Sequence, residues 1–148
     1  PAATLSGHAD AIYALAWTPD GARLATGSLD RALRVWHFPA GVSSVDARDD
    51  ASQPVNENAA RCASVVRAHK DFVLSVAVAP PDGRWVVTGS KDRAVQFWDA
   101  AAGATQLVLQ GHKNSVIAVA VAPVGGLFAT GSGDTRARVW SYSEVRPA

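Results

Sequence analysis

The chain lacks methionine and has a single cysteine, Cys62. One thiol excludes an internal disulfide and a cysteine-rich zinc site, so we expect Cys62 to pack in a strand without a chemical role. No apolar run approaches the roughly 18–20 residues of a membrane span, and the run Val116–Ala122 stops at Pro123. The first residues carry neither the basic region nor the apolar core of a secretion signal. The missing leading methionine is what we expect of a piece cut from a longer protein.

The chain also lacks an excess of either charge, since 14 basic residues stand against 13 acidic ones. This balance argues against a protein that holds DNA through its phosphates. The sequence contains no phosphate-binding glycine loop, no GxGxxG pattern and no metal-spaced group of histidines and cysteines. We therefore predict no metal, no cofactor, no small-molecule substrate, no direct DNA binding and no membrane partner. The hydrophobic content, 48% of 148 residues, is enough to fill the core of one domain.

The dominant feature of the sequence is a unit that occurs three times. Each unit has a histidine near its start, Thr-Gly-Ser in its second half, and a closing tryptophan six residues after an aspartate. The units are Gly7–Trp36, Ala68–Trp98 and Gly111–Trp140, and they close on GSLDRALRVW, GSKDRAVQFW and GSGDTRARVW. A repeat of this kind predicts one supersecondary unit per copy.

Strands and turns alternate within each unit. Apolar, β-branched segments between Pro- and Gly-containing turns predict three strands per unit, and the linkers Cys62–Ala68 and Ala104–Gln110 supply a fourth. The first strand of each unit is apolar almost throughout, so we expect it to be buried on both faces. Four strands, Gly-His at the start and Trp at the end resemble the WD-repeat β-propeller, although the Trp-Asp dipeptide itself occurs only at Trp98-Asp99. The resemblance implies an all-β fold with three four-stranded antiparallel blades.

The ends of the repeat do not match. Ala2–Leu5 looks like an outer strand whose blade is not in the chain, and the residues after Trp140 are too few for the outer strand of the last blade. Propellers typically have roughly four to eight blades, so three do not make a ring. Two alternatives are open: the chain is the tail of a longer propeller, or two copies associate to give six blades.

A polar insert, about residues 39–61, separates the first two units. It is acidic and has almost no large apolar residue. Such a composition cannot offset the entropy lost on ordering, so we predict a mobile loop. A phosphorylation or docking segment is the alternative, but long surface insertions cost little and a plain insert is favoured.

The WD-repeat resemblance implies a hydrogen-bonded tetrad in each blade. The carboxylate fixes the imidazole tautomer, and the indole N–H finds an acceptor. The three sets are His8, Thr26, Asp30, Trp36; His69, Thr88, Asp92, Trp98; and His112, Thr130, Asp134, Trp140. Ser28, Ser90 and Ser132 are the alternative hydroxyls.

A hydroxyl, a histidine and an aspartate also resemble the triad of a hydrolase. A catalytic triad normally occurs once, at a cleft, whereas this set occurs three times, each with a tryptophan at fixed spacing. We therefore predict a structural role for the set, no catalytic residue and no enzyme activity. His37 lies outside the pattern and is expected at the surface or at a strand edge, not on a metal.

Several stretches carry a closer resemblance: AHKDFVLSVAV, GSKDRAVQFWD, LQGHKNSVIAVAVA and FATGSGDTRARVWSY. From about Gly7 to Tyr142 the chain resembles the C-terminal blades of the Tup-type fungal transcriptional corepressors, functional relatives of Groucho. The resemblance implies the fifth to seventh blades of a seven-bladed propeller, in a nuclear, non-enzymatic corepressor that DNA-bound repressors recruit. It also implies a tetratricopeptide partner and contacts with histone tails or deacetylases. The N-terminal helical segment that holds the tetratricopeptide partner in this family is not part of the chain.

Two positions per unit reach the top face of such a propeller: the pair after the histidine and the residue before the tetrad aspartate. The resemblance places repressor contacts on this face, where loops stand on a rigid frame. The predicted partner-binding residues are Asp10, Leu29, Asp71, Phe72, Lys91, Asn114, Ser115 and Gly133. Phe72 is the best anchor, because aromatic side chains dominate binding hot spots. An ordinary solvated loop is the alternative for any one residue. The alternative for the chain is a generic WD-repeat adaptor of another complex, such as a ubiquitin-ligase substrate receptor or a signalling scaffold.

Overall fold

A computed structural model of the chain describes residues 3–39, 45–47, 60–67 and 69–143. All regular structure in these residues is β. The strands are β1 (Ala3–Leu5), β2 (Ile12–Trp17), β3 (Arg23–Ser28), β4 (Leu33–His37), β5 (Val45–Ala47), β6 (Arg61–Val66), β7 (Val73–Val78), β8 (Trp85–Ser90), β9 (Val95–Asp99), β10 (Ala104–Leu109), β11 (Val116–Val121), β12 (Leu127–Ser132) and β13 (Ala137–Ser141). The all-β prediction is confirmed.

Three antiparallel sheets follow one another along the chain, one for each repeat. Blade 1 has the strand order β2-β3-β4-β6, blade 2 has β7-β8-β9-β10, and blade 3 has β11-β12-β13. Each linker strand therefore completes the blade before it. In the described part of the chain, blade 3 has no fourth strand, as the few residues after Trp140 led us to expect.

The short strand β1 has a partner that the sequence did not predict. It pairs in parallel with β5, with Ala3 opposite Val45 and Leu5 opposite Ala47. In the described residues its partner is therefore a strand of the insert. The mobile loop over about residues 39–61 stays a prediction; within it, Val45–Ala47 form a ladder with β1 and Arg61 opens β6. Residues 40–44 and 48–59 of the insert lie outside the described residues.

The three blades share one register. The inner strand carries a register shift near its start, and beyond it Leu15, Val76 and Val119 lie opposite Thr26, Thr88 and Thr130. Residues of different blades can therefore be matched position by position. The sequence repeat is thus also a repeat of backbone pairing.

The core lies between successive blades. Ala25 and Leu33 of blade 1 pack with Val73 and Val76 of blade 2. On the next interface, a cluster around Phe97 of blade 2 takes in residues of blade 3. Each inner strand thus covers the face of the blade before it, and burial of this apolar area stabilises the stack.

A glycine in β3 and in β8 makes this close approach possible. A Cβ added at Gly27 would lie 2.6 Å from a γ carbon of Val73, and one at Gly89 would lie 2.6 Å from a γ carbon of Val116. Gly131 holds the same position in β12, but there the nearest atom to an added Cβ is the Cβ of Ala118, at 3.6 Å. No described residue covers the face of blade 3 at this point.

The burial of the inner strands differs from the prediction in the first and third blades. Val73 in β7 is fully buried, whereas its counterpart Ile12 in β2 is 46% exposed and the neighbouring Leu15 is 61% exposed. Ile117 in β11 is also exposed. The reason is position in the stack: only blade 2 has a described blade on each side.

Candidate functional site

The tetrad of blade 2 joins four side chains into one hydrogen-bonded chain. Nδ1 of His69 is 2.9 Å from Oδ2 of Asp92, and its Nε2 is 2.7 Å from Oγ1 of Thr88. Nε1 of Trp98 donates to the same hydroxyl oxygen over 2.7 Å. Because a carboxylate only accepts, the imidazole hydrogen is on Nδ1, and the hydroxyl donates to Nε2. Every polar group of the set has a partner.

The other two blades repeat this geometry. The histidine–aspartate distances are 2.8 Å in blade 1 and 2.9 Å in blade 3, and both histidine–threonine distances are 2.8 Å. The indole N–H reaches the threonine oxygen over 2.9 Å in blade 1 and 2.8 Å in blade 3. The structure brings together all three sets, made of His8, Thr26, Asp30, Trp36; His69, Thr88, Asp92, Trp98; and His112, Thr130, Asp134, Trp140.

The serines considered as alternative hydroxyls make a different contact. Ser90 Oγ donates to the backbone carbonyl of Asp71 and accepts from the backbone N–H of Asp92. The equivalent serines of the other blades, Ser28 and Ser132, make the same pair of bonds. Threonine is thus the tetrad hydroxyl, and serine ties the loop before the inner strand to the turn that carries the aspartate.

The tetrad carboxylates are held in their charged form. Burial opposes ionisation of Asp92, but hydrogen bonds from His69 and from the backbone N–H groups of Ala94 and Lys70 lower its pKa to about 2. The same balance lowers the pKa of Asp30. The pKa of Asp134 is also lowered, chiefly by the backbone N–H of Lys113. Each carboxylate is therefore negatively charged, and its oxygens accept hydrogen bonds from neighbouring N–H groups.

The threonine hydroxyls are poorly placed for the part that a serine hydroxyl has in a hydrolase triad. All three hydroxyl-bearing side chains are buried, so a substrate carbonyl has no route to them. Each oxygen also accepts an indole N–H, which reduces its electron density for attack. The arrangement is suited to holding strands together.

The predicted top-face residues lie on loops at one end of the sheets, where each inner strand begins. In each blade the two loops are joined by a backbone bond, for example from Lys91 N–H to the carbonyl of Phe72, 2.9 Å. The side chains of Asp10, Asp71 and Asn114 each accept the N–H of the following residue, at 2.7 to 2.8 Å. We keep the name top face for this surface, and its predicted members are Asp10, Leu29, Asp71, Phe72, Lys91, Asn114, Ser115 and Gly133.

The structure relates several of these residues to one another. Nζ of Lys91 lies 4.8 Å from the ring centroid of Phe72, a cation–π contact within blade 2. Asn114 and Gly133 are neighbours in blade 3, since a Cβ on the glycine would lie 3.3 Å from the amide. Asp10, Leu29, Asp71 and Phe72 meet at a cleft between blades 1 and 2.

Sequence reasoning missed two features near these sites. Arg84 donates through Nε and an Nη to one oxygen of the buried Asp99, at 3.0 and 2.8 Å. Arg84 has no counterpart in the repeat, so nothing in the pattern pointed to it. Arg31, Arg93 and Thr135 adopt a left-handed backbone, with φ of 70°, 72° and 69°. Their common place after the tetrad aspartate was the available signal.

The remaining candidates give no sign of other chemistry. Cys62 lies in β6 as a thiol, where it accepts a hydrogen bond from a guanidinium nitrogen of Arg34 at 3.6 Å. His37 is partly exposed at the end of β4. The described residues contain no group of three or more side chains suited to a metal ion. Nor do they form a helix of the length and apolarity needed to cross a bilayer.

A comparison with known protein families recovers the same three units. The family model "WD domain, G-beta repeat" matches residues 1–37, 60–99 and 103–141. These matches take in the three tetrads and the sheets that carry them.

Individual relatives include named transcriptional regulators. The chain is 43% identical over 148 residues to "General transcriptional corepressor TUP1" of Saccharomyces cerevisiae, covering 96% of this chain and 20% of that protein. It is 51% identical over 90 residues to "Transcriptional repressor rco-1" of Neurospora crassa, covering 57% of this chain and 15% of that protein. "WD repeat-containing protein slp1" of Schizosaccharomyces pombe is 27% identical over 143 residues, which are 95% of this chain and 25% of that protein. The resemblance drawn from the sequence is confirmed, and the chain spans about a fifth or less of the length of the two regulators.

Proposed function

Because the chain belongs to the WD-repeat family, we propose that it is the propeller portion of a general transcriptional corepressor. In this proposal it is an interaction scaffold without catalytic chemistry of its own, and DNA-bound repressors recruit it. The observation that carries the proposal is the 43% identity to a general transcriptional corepressor over 96% of this chain.

The proposal divides the chain into a frame and a contact surface. The tetrads form the frame, since their polar groups are hydrogen-bonded to one another. The top face is the contact surface, because its side chains are polar, charged and aromatic and stand on that frame. The nucleus is the proposed location. A tetratricopeptide partner, histone tails and deacetylases are the proposed further contacts of the complete complex.

A chimera tests this function. The segment of the yeast corepressor that aligns with this chain is replaced by the chain, and repression of a reporter gene is measured in cells that lack the endogenous protein. We expect the chimera to restore repression. A second chimera carries Asn114→Ser, which changes an exposed top-face side chain outside the tetrads. We expect it to be expressed equally and to repress less well.

The outcomes separate the frame from the surface. A chimera that is expressed at normal level but does not repress would contradict the corepressor proposal. Full repression by the Asn114→Ser chimera, and also by a Lys91→Asn chimera, would keep the corepressor role and remove the top face as its contact surface.

The second candidate is an adaptor of a different complex. It is favoured by the match over 95% of this chain to a WD-repeat protein that is not named as a transcriptional regulator. Affinity purification from nuclear extract discriminates the two. Recovery of a tetratricopeptide protein and deacetylases supports the corepressor, whereas ubiquitin-ligase or signalling subunits support the adaptor.

A further inference from the structure

We propose that the cleft between blades 1 and 2 on the top face binds an acidic peptide segment that inserts one apolar side chain. This proposal rests on the proposed function, in that it gives the chemistry of the segment by which a partner engages the propeller. The cleft has a volume of about 510 Å³. Such a volume is within the range of sites that hold a few side chains of a ligand.

The rim of the cleft carries three cations. Arg31 comes from the β3–β4 turn of blade 1, Arg67 follows β6, and Lys70 precedes the inner strand of blade 2. All three residues are exposed. Within the described residues, none of the three charged groups forms an ion pair or hydrogen bond with another side chain. They are available to pair with carboxylates of a partner. Each of the two arginines can bind a carboxylate through two N–H groups of its guanidinium.

The carboxylates that line the cleft are more constrained than the cations. Asp30 is a tetrad member, and both of its oxygens already accept hydrogen bonds. Asp10 and Asp71 each use one oxygen on the next backbone N–H, at 2.7 and 2.8 Å. Three carboxylates thus stand beside three cations, and the cations, which make no side-chain bond in the described residues, are the groups that we assign to the ligand. An acidic ligand meets them, and a basic ligand would meet them as like charges.

An apolar pair stands between these charges. Leu29 of blade 1 and Phe72 of blade 2 line the same cleft, and both are partly exposed. The ring of Phe72 is held on one side by Lys91. A leucine and an aromatic ring facing one space can accept an apolar side chain, which fixes the register of the acidic flanks.

The matching place between blades 2 and 3 lacks this combination. There the shared register puts Lys91 in the position of Leu29, and Ser115 in the position of Phe72. Gln110 replaces Arg67 as the residue two places before the histidine. Arg67 is lost, but Lys91 and Lys70 stand where the first cleft has Leu29 and Ala9, so this place keeps its positive charge and loses both apolar groups. The apolar pair, and not the number of cations, therefore distinguishes the first cleft from the matching place in the repeat.

The first experiment identifies the ligand chemistry. The probe is an oriented peptide library with a fixed central phenylalanine or leucine and mixed flanking positions, bound to the immobilised whole chain. We expect aspartate and glutamate to be enriched at the flanks. Enrichment of lysine and arginine, or no enrichment at all, overturns the proposal.

The second experiment places the site by matched substitutions. The selected acidic peptide is labelled, and its dissociation constant is measured by fluorescence anisotropy. Phe72→Ser and Lys70→Ala install residues that this fold already holds at the equivalent positions Ser115 and Ala9. We expect binding about tenfold weaker for the first and several-fold weaker for the second, as for an anchor and a rim charge.

Lys113→Ala is the control, since Lys113 is the counterpart of Lys70 in blade 3 and its removal changes the net charge equally. We expect no more than a small change in binding. Equal losses for Lys70→Ala and Lys113→Ala would show general electrostatic attraction and would overturn the cleft. Displacement of the peptide by a single-stranded oligonucleotide at the same concentration would do so as well, because it would assign the cations to nucleic acid.

The same variants separate this proposal from the proposed function. If the reporter chimera with Phe72→Ser represses fully and the library shows no enrichment, the cleft proposal is wrong and the corepressor role stands. If the selected peptide binds at the cleft but the chimera does not repress, the corepressor role is wrong and the cleft proposal stands.

Discussion

Replacing Gly89 by alanine tests how the blades are packed. A Cβ at this position would lie 2.5 Å from the hydroxyl of Ser75, and 2.6 Å and 3.0 Å from two carbons of Val116. The two shorter distances are below those of real contacts, and the third is tighter than most. Val116 is fully buried in the next blade, so it has little room to move. Relief of the clash requires blades 2 and 3 to separate locally or Val116 to leave its rotamer.

The expected cost follows from two opposing effects. Overpacking of a dense core costs about 1–3 kcal/mol. Glycine-to-alanine substitution also lowers the entropy of the unfolded chain, a gain of about 0.4–1 kcal/mol. The free energy of unfolding should therefore fall by about 1 kcal/mol at the middle of both ranges, and by about 2.5 kcal/mol at most. Gly131→Ala is the matched control: its Cβ would meet an ordinary contact at 3.6 Å, so it should keep the gain without the clash.

Urea unfolding followed by tryptophan fluorescence measures both variants. We expect a lower midpoint for Gly89→Ala, and an equal or slightly higher midpoint for Gly131→Ala, with unchanged slopes. Wild-type stability of Gly89→Ala would refute the packing argument. An equal loss in both variants would show instead that another surface covers Gly131 in solution.

Three further predictions concern polar side chains of blade 2. Thr88→Val should lower the free energy of unfolding by at least about 2 kcal/mol in urea unfolding, because it strands an indole N–H and an imidazole nitrogen in the core. The folded pKa of Asp92 is about 2, below its ordinary 3.8, so its contribution to stability is complete above pH 4 or so and is lost as the pH falls toward about 2. Urea midpoints between pH 5 and pH 2 should therefore fall less steeply in Asp92→Asn than in wild type, and parallel curves would contradict this. Arg84→Ala should cost about 1–3 kcal/mol in the same assay, because it leaves the buried carboxylate of Asp99 with its turn N–H groups alone, and a change near zero would exclude a role for the ion pair.

The features that the sequence predicted well are those that recur in it. Trp36, Trp98 and Trp140 have the same task in three sheets, so a comparison of the chain with itself revealed the strands that carry them. Threonine could not be told from serine in advance, because both hydroxyls are in the same strand and only the direction of the side chain assigns their partners.

The features that escaped prediction depend on contacts between distant residues. The pairing of β1 with β5 joins two segments of three residues that share no pattern. The exposure of Leu15 follows from the lack of a described blade in front of blade 1, whereas its own residue type and spacing are those of a buried strand. The cleft at Phe72 is made by two blades together, and a repeat aligned one unit at a time does not show it.

Among the described residues, one side of blade 1 and one side of blade 3 are not covered by another blade, and these two sides differ. One side presents Ile12 and Leu15, which hold the places of Val73 and Val76, the residues that pack on the preceding blade. The other side presents Gly131, the place on which such a residue rests. A contact through these surfaces joins unlike patches, front to back, so the interface is heterologous and no twofold axis passes through it. Any row built in this way either grows at both ends or closes into a ring whose subunits all point the same way around the axis.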